Sequence, residues 1–121
     1  MTERVATKVE PDGPRTLCID VGGTGIKAMV VSSIGKPLTE PARVMTPQPA
    51  TPRAMTAALR TILPDPRAYD RISVGFPGVV VEGIVRSAPN LDDSWAGFDL
   101  QGTIGKATRK PTRVLNDAGV Q

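Results

Sequence analysis

The segment Asp20-Val21-Gly22-Gly23-Thr24-Gly25-Ile26-Lys27 constrains this chain more than any other, because it sets three glycines between two β-rich runs. Leu17–Val21 is a short apolar run that suits a buried strand, and Cys18 within it reads as a small buried hydrophobe. After the glycines, Ile26, Ala28 and Val30 share one face of a second strand, with Lys27 and Met29 on the other. Two such runs around a Gly-rich turn predict a hairpin. A bare hairpin needs one or two glycines, so three call for a further reason, either close approach of backbone to a ligand or positive φ. Successive backbone N–H groups can form a nest for phosphate oxygens, to which Thr24 adds a hydroxyl and Lys27 a charge. Asp20 at the strand end could hold Mg²⁺, a hard cation that prefers oxygen. The same residues also suit a plain hairpin with a solvated Lys27, and on their own they leave both readings open.

A dinucleotide fingerprint also fits Gly23 to Ala28, but it requires glycines that open a helix. The run that follows is β-branched and ends at Gly35, so strand-turn-strand is the better fit. Ala42–Thr46 predicts a third strand. Thr51 and Pro52 then form a helix start, and Ala54, Met55, Ala58, Leu59, Ile62 and Leu63 recur at helical spacing until Pro64-Asp65-Pro66 stops them. Arg71–Phe76 predicts a strand, and Val79–Arg86 a hairpin turning at Glu82-Gly83. A loop spans Ser87 to Trp95. Asp99 caps a helix through Lys110 that Gly102 and Gly105 weaken, and Arg113–Leu115 is the last strand. The order β-β-β-α-β-β-β-α-β predicts an α/β lobe, a mixed sheet with helices packed on it.

The length of 121 residues bounds the chain at one domain, residues 16–121, behind a polar leader, residues 1–15. No apolar run approaches the roughly 20 residues that cross a bilayer, and the start of the chain has no apolar signal region, so a cytoplasmic protein without membrane contact is expected. One Cys and no His exclude a disulfide framework, a cysteine zinc site and Ser-His or Cys-His chemistry. Four aromatic residues give little surface for stacking on bases, and no nucleic-acid partner is expected.

Two further groups carry chemistry. Asn116-Asp117 follows a strand, where a carboxylate can take a hydroxyl proton while a neighbouring carboxamide orients the alcohol. Alone, Asp117 reads more simply as a helix N-cap. Asn90, in a loop with Trp95, could meet sugar hydroxyls, although loops hold Asn for turns as often. The cations Lys106, Arg109, Lys110 and Arg113 read as a solvated face.

In this order the motifs resemble those of ROK-family sugar kinases, and within them the polyphosphate glucokinases. The resemblance covers residues 16–121 and rests on IDVGGTGIKAMVV, TPQPATP, VGFPGVV, GIVRSAPNLDDSWAGFDL and PTRVLNDA. It implies an actin-like ATPase (ribonuclease H-like) lobe, one of two flanking a cleft. It places Asp20, Gly22, Gly23, Thr24 and Lys27 in the phosphate-binding hairpin, with Asp20 toward Mg²⁺. It places Gly78, Asn90, Asn116 and Asp117 on the sugar side, with Asp117 as the catalytic base. The implied reaction moves a phosphoryl group from polyphosphate or ATP to the 6-hydroxyl of glucose or a related hexose.

The family pattern continues differently after the base, where this chain has Gly119. The C-terminal lobe, with its sugar-binding Glu and His, is expected to lie outside the sequence, which leaves the chain inactive alone and a homodimer of the longer protein open. A short leader leaves no room for the winged helix of ROK repressors. The alternative is a non-catalytic sugar- or phosphate-binding lobe, from a truncated gene or completed by a second chain.

Overall fold

The computed structural model describes residues 13–117, so the first twelve residues and Gly119 lie outside the described residues. Five strands, β1 (Thr16–Val21), β2 (Gly25–Val31), β3 (Ala42–Met45), β4 (Arg71–Phe76) and β7 (Thr112–Asn116), form one mixed sheet in the order β3-β2-β1-β4-β7. The hairpin of β5 (Val79–Val81) and β6 (Ile84–Ser87) forms a separate two-stranded sheet rather than joining the main one. β1 pairs antiparallel with β2 and parallel with β4, which in turn pairs parallel with β7. The carboxyl ends of β1, β4 and β7 therefore lie together at one edge of the sheet.

Period-two alternation sorts the side chains. Leu17, Ile19 and Val21 of β1, Ile26, Ala28 and Val30 of β2, and Ile72, Val74 and Phe76 of β4 are buried on one face. Against that face pack Met55 and Leu59 of α1 (Pro52–Arg60) and Leu100 and Ile104 of α2 (Leu100–Thr108). Both helices serve the same core, so the opposite face, with Asp20, Lys27, Arg43, Arg71 and Arg113, is exposed. Cys18 lies on that open face, which corrects its reading as a buried hydrophobe: it alternates with the buried Leu17 and Ile19.

α1 begins as its sequence dictates, with Thr51 Oγ1 accepting from the Ala54 amide at 3.1 Å and Pro52 at the first turn. It ends at Arg60, earlier than its apolar spacing suggests, and Ile62 and Leu63 pack on the core from the turn that follows. Pro64 disfavours helical backbone at Leu63, which cuts the last turn short. α2 likewise stops at Thr108, before Lys110, because Arg109 adopts left-handed backbone at φ 61°. Its cap, Asp99, accepts from the Gly102 amide at 2.8 Å, and a Cβ on residue 102 would crowd that carboxylate. Between β5 and β6, Glu82 and Gly83 both take positive φ, 52° and 82°, the geometry of the two-residue turn that matches strand twist.

The entry into β1 is tied to the entry into β4. Asp70 accepts from the Arg15 amide at 2.8 Å and from its Nε and Nη2 at 3.1 Å each, while the Asp70 amide donates to the Arg15 carbonyl at 2.9 Å. These bonds from Arg15 hold the Asp70 carboxyl down to about 2. A carboxylate depressed by folding adds stability that is complete above its unfolded value of about 3.9 and is lost as pH falls toward the folded value. Thermal melts between about pH 4 and pH 2 should therefore show a steeper loss for the native chain than for Asp70→Asn. Both partners are solvent-exposed, so the difference is small. Asp65, held to about 2 by Arg67, falls in the same window but is common to both proteins. Equal acid limbs would show that the Arg15–Asp70 pair adds nothing.

Candidate active site

The β1–β2 turn closes through the Gly22 amide, which donates to the Gly25 carbonyl at 2.9 Å. A Cβ on residue 22 would stand 3.0 Å from that oxygen, so close approach favours glycine there. None of Gly22, Gly23 and Gly25 takes positive φ, which corrects one reason advanced for the glycines; among described glycines that conformation belongs to Gly35, Gly83 and Gly97. Gly23 faces open space, and Gly23 and Thr24 are exposed. The strand that follows the glycines removes the dinucleotide reading, which needs a helix there.

Thr46, which the sequence did not single out, fixes this turn. Its buried hydroxyl donates to the Gly22 carbonyl at 2.6 Å, and its amide donates to the Thr24 carbonyl at 3.1 Å. The β2–β3 register, with Gly25 opposite Met45, carries Thr46 to that place. A Thr after an edge strand gives such a signal only once the register is known.

Asp20 pairs with Lys27 across β1–β2 and with Gly75 across β1–β4. Asp117 follows β7, on the same open side as Leu115, whose partner is also Gly75. A Cβ on residue 75 would lie 3.8 Å from both Asp20 Oδ1 and Asp117 Cβ. Gly75 thus lies between Asp20 and Asp117 on the open face, where a methyl group would be in ordinary van der Waals contact with both. A glycine inside an apolar strand is the signal that could have found it. Asp20, Lys27, Gly75 and Asp117 line a cleft of about 760 Å³, together with Ser73 and Arg43. The cleft lies on the open sheet face, reaching from Asp20 and Asp117 back to Cys18, Met29 and Ser73, and the turn residues Gly22, Gly23 and Thr24 do not line it.

Asn116 faces the other way, as alternation requires, and its Nδ2 donates to the Gly78 carbonyl. Gly78 is buried at the β4–β5 corner, where a Cβ would collide with the Ser87 carbonyl and lie 3.1 Å from Ala88 Cα. Asn116 and Gly78 are therefore brought together, on the sheet side opposite the two carboxylates. Asn90 is exposed in the turn after β6 and lines no part of the cleft. Its sequence companion Trp95 is 1% exposed and donates from Nε1 to the Ala50 carbonyl at 2.7 Å, so Trp95 is a core residue and offers no platform for a sugar. Of the four-cation cluster, Lys110 is committed to Tyr69, donating to its carbonyl at 2.9 Å and lying 5.2 Å from its ring centre.

The site has two chemical halves. Exposed glycine backbone with Lys27 suits phosphate oxygens, and a carboxylate pair across Gly75 suits a proton acceptor beside a cation. Among the described residues no three of His, Cys, Asp and Glu gather to hold a metal, so a cation here would depend on one or two carboxylates and its other ligands. Magnesium is bound in that way where phosphates complete its shell.

Comparison with known proteins places the chain in one family. Polyphosphate glucokinase of Mycobacterium tuberculosis is 38% identical over 102 residues, which are 83% of this chain and 38% of that protein. The structure of inorganic polyphosphate/ATP-glucomannokinase from Arthrobacter sp. strain KM superposes with a TM-score of 0.77 at 36% identity, over 88% of this chain and 45% of the other. A ROK family glucokinase from Streptomyces griseus, solved with glucose and AMPPNP, gives 0.66 at 30% identity, over 88% of this chain and 34% of the other. The chain thus spans less than half the length of these relatives. Its sheet is that of an actin-like ATPase lobe, as its motifs imply. The ROK family profile matches residues 16–121, a span that takes in every described strand from Thr16 to Asn116, and the chain belongs to the ROK family.

Proposed function

We propose that the protein carrying this chain is a sugar kinase that moves a phosphoryl group from polyphosphate or ATP to the 6-hydroxyl of glucose or a related hexose. The observation that carries this reading is the meeting of Asp20 and Asp117 across Gly75, in one cleft with Lys27. Asp117 takes the proton of the hydroxyl as its oxygen attacks the terminal phosphorus. The new O–P bond forms as the bond to the donor's bridging oxygen breaks, and ADP or a shortened polyphosphate leaves. Phosphoryl transfer asks little more of its protein than position and charge, which the hairpin and Lys27 supply on the donor side.

Asp20 is the group that would hold Mg²⁺, whose charge offsets that of the donor phosphates when it is bound, while Asp117 is kept for the proton. Asn116 and Gly78, bonded to each other on the other side of the sheet, enter the sugar site in this reading on the strength of the resemblance. Asn90 enters the sugar site in this reading on the strength of the resemblance, since it stands away from the cleft. Among the described residues no helix is long and apolar enough to cross a membrane.

The test is a coupled assay of glucose phosphorylation by the protein carrying this chain, run with ATP and with polyphosphate. Glucose 6-phosphate formed with either donor supports the reading. Binding of donor and sugar without turnover would favour the alternative, a non-catalytic binding lobe.

A further inference from the structure

We propose that Arg43 is a donor-binding residue of this site, forming with Lys27 a two-cation seat for a condensed phosphate chain. The inference rests on the hairpin being the donor site and adds a residue that the sequence did not mark. Lys27 lies opposite Arg43 across β2–β3 and opposite Asp20 across β1–β2, and Asp20 is level with Gly75. A single row therefore crosses the open sheet face in the order Arg43, Lys27, Asp20, Gly75, and all four line the same cleft as Asp117.

Like charges directly opposite on one sheet face destabilise it, with Cβ atoms only about 5 Å apart. Asp20 stands across from Lys27 on its other side, but among the described residues no ion pair offsets Arg43. β3 is an edge strand, and edge strands carry charge to block pairing with other chains. That role is indifferent to sign, however, and gives no reason to set a second cation beside Lys27. A polyanion does give one. From Asp20 to Arg43 is two strand spacings, or ~10 Å, a span for several linked phosphoryl groups. A donor whose terminal phosphoryl lies by Asp20 and whose chain continues toward the sheet edge meets Lys27 first and Arg43 next. The planar guanidinium can bind phosphate oxygens two at a time, which lysine cannot.

Calorimetric titration of the 121-residue chain with tripolyphosphate and with orthophosphate tests this. Arg43→Ala should weaken tripolyphosphate about tenfold, as loss of a charge-assisted contact does, and move orthophosphate less than about twofold. Arg43→Lys should recover part of the loss. Lys106→Ala, exposed on α2 away from the cleft, should move neither probe. Circular dichroism melts establish that each variant is folded. If Arg43→Ala binds tripolyphosphate like the native chain while Lys27→Ala loses it, Arg43 has no such role and the hairpin remains the donor site. Equal losses for the two probes would reduce Arg43 to general charge attraction and overturn the proposal. Failure of the native chain to bind tripolyphosphate would sink both the seat and the reading beneath it.

Discussion

Asp117→Asn is expected to lower glucose phosphorylation by the protein carrying this chain about 10²–10⁴-fold, the range for loss of a positioned general base. The carboxamide keeps the size of the side chain and its place beside Gly75, so packing gives no reason for a loss. What changes is the capacity to accept a proton from the attacking hydroxyl. The loss should fall on kcat with little change in sugar KM, because Asp117 acts on charge that develops in the transition state. A coupled assay over a range of glucose concentrations separates the two parameters. A variant that kept its native rate would remove Asp117 as the base and move the chemistry elsewhere in the cleft.

Trp95→Ala should cost about 3–5 kcal/mol of stability, the range for truncating a buried aromatic. Small domains have about 5–15 kcal/mol in all, so this change leaves the fold marginal. Trp95 packs on Phe76 with ring centres 4.8 Å apart and edge-on to Phe98 at 5.5 Å. Its N–H is also a buried partner of the Ala50 carbonyl, at the approach to α1. Trp95→Phe keeps most of the apolar volume and loses that bond, so it should cost about 1–3 kcal/mol. Urea unfolding followed by circular dichroism ranks the three proteins. If Trp95→Ala were as stable as the native chain, the core described around Phe76 would be wrong.

The hairpin and α1 were legible because their signals are local. Alternation from Leu17 to Val30 sorts the faces of β1 and β2, and Thr51-Pro52 marks the start of α1. What was not legible depends on contacts distant in sequence. Gly75 acquires its meaning only when β4 comes to lie between Asp20 of β1 and Asp117 beyond β7. Thr46 and Arg43 become part of the site through the β2–β3 register, which no short motif encodes. Trp95 finds its acceptor 45 residues away, so nothing local marks this loop tryptophan as a core residue. Cys18 was misplaced because an apolar run suggests burial on both faces, whereas both helices cover the same one.

The roles proposed for Lys27 and Arg43 require phosphate to bind on the β1–β2 turn, at the carboxyl end of β1. Titration of the ¹⁵N-labelled chain with tripolyphosphate tests it by reading amide resonances residue by residue. Shifts are expected at Gly22, Gly23, Thr24 and Lys27, with Thr16, Arg71 and Thr112 at the opposite end of the sheet unmoved. Shifts confined to Thr16, Arg71 and Thr112, or none at the turn, would contradict it.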